Sequence, residues 1–143
     1  MSKPTRRKEV KPFEVDEEWV SSLPFEVSPK GAVHLPIECV VYVPSTQGVD
    51  GKISPEEFQK RRDETARILV DLFGGCRETI VNGRYVDDAG EVVAEEVAAV
   101  TGFGEAEDYG ARRQQFLEWL LAKKVEWGQE AIGFEFEGDL WYI

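Results

Sequence analysis

The chain has 143 residues, of which 42% are hydrophobic and 11% aromatic, enough to build one core of ordinary domain size and too much apolar matter for a disordered chain. Lys and Arg number 17 against 28 Asp and Glu, a formal net charge of −11, which argues against a surface that tracks nucleic-acid phosphates. The longest uncharged stretch, Cys39 to Val49, is too short for a bilayer span and includes Pro44, Ser45 and Gln47.

The chain divides near Pro36. Residues 1–36 hold six basic and six acidic side chains and five of the seven prolines, whereas residues 37–143 hold eleven basic and twenty-two acidic, a net of −11. The first part reads as an extension: a basic tail of Lys3, Arg6, Arg7, Lys8 and Lys11, then the apolar anchors Phe13, Val15, Trp19, Val20, Leu23 and Phe25 between prolines. Direct nucleic-acid contact, if any, would fall to that tail. No apolar leader follows the basic N-terminus, so a cytoplasmic protein is expected, with no membrane partner.

Residues 37–143 read as the folded domain. Ile37 to Val43 is a β-branched strand closed by Pro44. Ser54-Pro55-Glu56-Glu57 is a helix start with a capping Ser and Pro in the first turn; Phe58, Thr65, Leu69, Leu72 and Phe73 follow at helical spacing until Gly74-Gly75. Ile80 to Val86 is a second strand interrupted at Asn82-Gly83, Asp87 to Gly90 a turn, and Glu91 to Thr101 a third strand with an irregularity at Glu95-Glu96. A second helix runs from Glu105 to Glu126 with a buried stripe of Tyr109, Phe116, Leu117, Leu120, Leu121 and Val125. Ala131 to Glu137 alternates as a strand, and Gly138-Asp139 turns into Leu140 to Ile143.

The order is β-α-β-β-α-β plus a C-terminal strand. It predicts an α+β fold, the ferredoxin-like split arrangement of an antiparallel sheet with two helices on one face. The first and third strands are apolar on both sides, so the sheet face away from the helices needs cover, from a second copy in a homodimer or from Phe13 to Phe25.

The strand end Val41-Tyr42-Val43-Pro44-Ser45-Thr46, the helix end Leu72-Phe73-Gly74-Gly75, and Trp127-Gly128-Gln129-Glu130-Ala131-Ile132 through Glu137-Gly138-Asp139-Leu140-Trp141-Tyr142-Ile143 carry a resemblance. Over residues 37–143 the chain resembles a family of small uncharacterised ferredoxin-like proteins found in bacteria, tailed phages and other mobile elements. The resemblance implies the same topology and supplies no catalytic residues.

Chemistry is constrained by what is scarce. His34 is the single histidine, and Cys39 and Cys76, the only cysteines, read as two reduced thiols rather than one disulfide, which leaves too few residues for a zinc site, a Cys-His pair or a Ser-His-Asp triad. Nothing implies a cofactor or a metal. Gly102-Phe103-Gly104 lacks the spacing and lysine of a phosphate loop and reads as a helix entry. Asp87, Asp88 and Glu91 read as a solvated turn rather than a cation site.

The topology brings Tyr42, Ser45, Thr46, Trp127, Gln129 and Glu130 to one edge, a mixture of donors, acceptors and an indole that suits a small polar ligand. There Glu130, at a strand start against apolar neighbours, is expected to be partly desolvated. The residues favour a non-enzymatic binding or regulatory module that recognises a protein partner through its sheet face or edge. The alternatives are a small-molecule enzyme with a cleft beside the sheet, using Glu130 with Tyr42 or Tyr85 for acid–base work, and an acidic inhibitor of a nucleic-acid-handling system.

Overall fold

The computed structural model describes residues 35–48 and 51–143. The basic tail, the Phe13–Phe25 anchors and His34 lie outside the described residues.

The first strand, β1 (Ile37–Pro44), is followed by the short pair β2 (Thr46–Gln47) and β3 (Gly51–Lys52) and by helix α1 (Pro55–Phe73). Ser54 caps α1 by accepting the Glu57 N–H at 3.1 Å, and Gly74, at φ 97°, ends it by donating its N–H to Val70 O. Strands β4 (Cys76–Val86) and β5 (Val92–Gly104) form a long hairpin about Asp87, whose carboxylate accepts the N–H groups of Ala89 and Glu91 at 2.9 Å. Helix α2 (Ala106–Glu126) leads to β6 (Gly133–Phe136) and β7 (Asp139–Tyr142).

The main sheet has the order β4-β5-β1-β6-β7, antiparallel throughout. Removing β7 leaves the split β-α-β-β-α-β order, so the architecture is the α+β arrangement expected, with β7 as the extra strand. Alternation along β1 turns Cys39, Val41 and Val43 toward the helices, where Ala98, Val100 and Phe134 join them from neighbouring strands. Leu69, Leu72 and Phe73 of α1 and Phe116 and Leu120 of α2 close over this layer. Rings bind α2 to the sheet, where Phe116 meets Phe134 edge-on at 5.4 Å and Tyr109 stacks on Phe136 at 4.3 Å, and join it to α1, where Phe73 stacks on Tyr109 at 5.9 Å.

Several elements differ from the sequence reading. The strand after α1 begins at Cys76, four residues early, and runs through Asn82-Gly83 without a break. Register is continuous from Cys76 opposite Gly102 to Val86 opposite Val92, so Glu95-Glu96 carries no bulge: Gly83 and Asn82 face them one for one. Gly102-Phe103-Gly104 is the end of β5 rather than a helix entry. Its glycines let α1 come close, since a Cβ on Gly104 would stand 3.0 Å from Phe73 Cδ1. The turn before β7 is Glu137-Gly138, both at positive φ, one residue earlier than expected. In α2 the buried stripe continues from Phe116 and Leu120 to Trp127, leaving Leu121 exposed and Val125 80% exposed. At about 100° per residue, Leu121 lies about 120° and Val125 about 160° round the helix from the inward line.

On the sheet face turned from the helices, Val40 is 6% exposed, with Ala99 and Thr101 buried beside it. Whether Phe13–Phe25 lies there concerns residues outside those described.

The glycines give a paired expectation. Gly104→Ala pushes a methyl into Phe73 and is expected to destabilise the protein by about 1–3 kcal/mol. Gly110→Ala, inside α2 with nothing within 4 Å of the added Cβ, is expected to stabilise it by roughly 0.5–1 kcal/mol. Urea denaturation of both variants measures the two signs.

Candidate functional site

The edge where β1 ends is organised by Arg61. This side chain is 1% exposed, on the inward line of α1 between Phe58 and Thr65. Its Nη1 donates to Pro44 O at 3.0 Å and Thr46 O at 2.8 Å, and its Nη2 donates to Gln47 Oε1 at 2.5 Å. The guanidinium lies over the Trp127 ring, 5.3 Å from its centroid. Glu57 Oε1 stands 3.6 Å from Nε, which is buried without a hydrogen bond of its own. Burial lowers the Arg61 pKa from its ordinary value, and the charge of Glu57 opposes that shift.

Gln47 and Gln129 complete the frame. Gln47 Nε2 donates to Glu126 O at 3.1 Å, tying β2 to the last turn of α2. Gln129 Nε2 donates to Thr46 O at 2.8 Å and to Trp127 O at 2.9 Å. The chain must pass Gln47 closely at Gly128 (φ 61°), where a Cβ would lie 2.9 Å from Gln47 Nε2. Ser45 Oγ donates to Glu96 O at 2.5 Å, which brings the β5 acid pair to the same edge.

Of the six residues singled out in the sequence, Ser45, Thr46, Trp127 and Gln129 are brought together by these contacts. Trp127 is fully buried, and the Ser45 hydroxyl and Gln129 amide donate to the fold's own carbonyls. Glu130 follows directly but is exposed rather than desolvated, because β6 starts only at Gly133 and leaves it in the connecting loop. Tyr42 sits at the same end of β1 but on the opposite face, since alternation gives the inward positions to Val41 and Val43. It leans over Gly133, and burial and a hydrogen bond with Glu135 push its pKa up to about 12.

Arg61, Gln47 and Glu96 were not recognised in the sequence as members of this edge. Arg61 alone carried a signal, a cation on an otherwise apolar helical line. Glu95 is half-buried, and desolvation raises its pKa.

The thiols are both free. Cys39 and Cys76 lie opposite Gly102 from its two sides, so two strand spacings, about 9.6 Å, separate them, beyond the reach of a disulfide. Burial pushes the Cys39 thiol up to about 12 and also raises Cys76, so neither is primed as a nucleophile. Among the described residues no group of three or more His, Cys, Asp or Glu is placed to hold a metal ion, and no helix is long and apolar enough to cross a membrane.

Gln129→Ala removes two hydrogen bonds and is expected to lower stability by about 1–2 kcal/mol, whereas Glu130→Ala is expected to stay within about 0.5 kcal/mol of the parent. Urea midpoints of the two variants separate a framing residue from an exposed one.

No protein-family model and no curated protein sequence matches this chain. Among solved structures it is similar in fold to a phage SAM lyase in complex with S-methyl-5'-thioadenosine, at a TM-score of 0.53 and 16% identity, over 85% of this chain and 95% of that one. A phage SAM lyase in the apo state matches at a TM-score of 0.48 and 16% identity, over 75% of this chain and 87% of that one.

Proposed function

We propose that this chain is a small-molecule enzyme acting on S-adenosylmethionine or a closely related adenosyl sulfonium. The observation that supports the reading is the likeness in fold to a phage SAM lyase holding S-methyl-5'-thioadenosine, extending over 95% of that chain. Release of that thioether from S-adenosylmethionine breaks the bond between sulfur and the methionine γ-carbon. That carbon gains a bond in its place, either to the substrate's own carboxylate oxygen, which closes a lactone, or to the β-carbon after a base takes the β-proton. The electron pair stays on sulfur, and the positive charge there is lost. A site for such a ligand combines carboxylates for the sulfonium with aromatic surface. A net charge of −11 favours the encounter with a cation. Glu130 and Glu96 are the carboxylates at the β1 edge, and proton transfer falls to Glu130 with Tyr42 or Tyr85. Tyr42, held up at about 12 by burial and Glu135, is the weaker candidate as a base at neutral pH.

A second reading, a non-enzymatic module that recognises a protein partner through a sheet face or edge, is supported by the polar groups at the β1 edge being engaged by the fold itself. A third, narrower reading, an acidic inhibitor of a nucleic-acid-handling system, is suggested by the net charge of −11 and by the phage and mobile-element family that residues 37–143 resemble.

Incubating the full chain with S-adenosylmethionine and separating products by chromatography tests the enzyme reading. S-Methyl-5'-thioadenosine is expected to form with turnover, and Glu130→Gln or Glu96→Gln to slow it by at least about 100-fold. If none forms and calorimetry detects no binding of S-adenosylmethionine, the enzyme reading fails and the partner-binding module takes its place.

A further inference from the structure

We infer that the outer edge of β4 is an interface between two copies of this chain, which pair antiparallel through β4 about a two-fold axis at Val81. The five-stranded sheet then continues into one of ten strands.

The geometry of the β4–β5 hairpin points there. β1 covers β5 only as far as Pro44 opposite Val97, so residues 82–86 and 92–96 project beyond the sheet as a ribbon of two strands. Such a ribbon is marginal alone in water, yet this one leaves Val86 and Val92 at 65% and 68% exposure, and Ile80 is exposed on β4 just before it. Among the described residues β4 is an edge strand of eleven residues with no proline, no lysine and no bulge, so the charges of Arg77, Glu78 and Arg84 are what guards it against pairing, and a partner that matches them removes that guard. The opposite edge, β7, has only four residues.

Charge identifies the occupant and the register. Glu78 and Arg84 are both exposed, lie on the helix-bearing side of β4, and have no ion-pair partner among the described residues. With the axis at Val81, Glu78 of each copy faces Arg84 of the other, giving two ion pairs by symmetry. Moving the axis to Ile80 sets Glu78 against Asn82 and Arg84 against Cys76. Moving it to Asn82 sets Glu78 against Val86 and Arg84 against Ile80. Of these three registers, the one at Val81 joins the opposite charges, and only a second copy supplies the same pair reversed.

Sedimentation velocity on the full chain at micromolar concentration reads the assembly directly. A dimer is expected. Glu78→Arg alone and Arg84→Glu alone each place like charges opposite one another and should weaken it at least about 10-fold, while the combined E78R/R84E variant should recover it. Val81→Cys should yield a disulfide-linked dimer under mild oxidation that the parent does not form, because facing residues of an antiparallel pair bring their Cα atoms to about 4.5–5.5 Å. A monomer, a trimer, or a dimer indifferent to both charge reversals and refractory to the Val81→Cys cross-link overturns the inference.

Discussion

A guanidinium taken out of water has to be surrounded by acceptors, and in this fold Arg61 draws three of them from a single stretch of chain. Pro44 O, Thr46 O and Gln47 Oε1 lie at the end of β1 and just beyond it, where a strand that has run out of partners would otherwise wander. The Trp127 ring covers the cation and brings the end of α2 to the same place. Replacing water around a full charge is expensive, so each acceptor lost would leave part of that charge uncompensated in a buried position. The strand end, the β2–β3 pair and the exit from α2 are therefore constrained together.

That frame explains why polar residues at the edge divide into two kinds. Gln47, Gln129 and Ser45 satisfy carbonyls that the sheet and helix leave open, and their hydrogen bonds hold the edge in shape. Glu130 and the Glu96 side chain remain exposed beside them.

Much of the architecture was legible because it is written locally. Ser54-Pro55 and Gly74 bound α1, Asp87 to Gly90 turn the long hairpin, and the β-branched run from Ile37 ends where Pro44 cannot continue it. Features decided at a distance were less visible. Arg61 occupies a helical position that its charge alone assigns to solvent; only the carbonyls of another segment make its burial affordable. Leu121 and Val125 read as core by their chemistry, yet the inward line of α2 runs on to Trp127 and leaves them outside. Tyr42 was placed at the correct end of β1, but the alternation that buries Val41 and Val43 sends its ring to the opposite face. The glycines at 102 and 104 spoke of freedom in the sequence, whereas in the fold they make room for Leu69 and Phe73.

Arg61→Met keeps much of the side-chain volume and removes the charge and its donors, so hydrogen exchange on that variant addresses the clamp itself. With Arg61 organising this end of the sheet, amides in residues 45–48 and 51–53 and in residues 128–132 lose protection together, while those of 37–43 and 98–102 keep theirs. Unchanged protection around Ser45 and Gln129, or an equal loss throughout the sheet, would show that something other than the buried guanidinium holds the edge together.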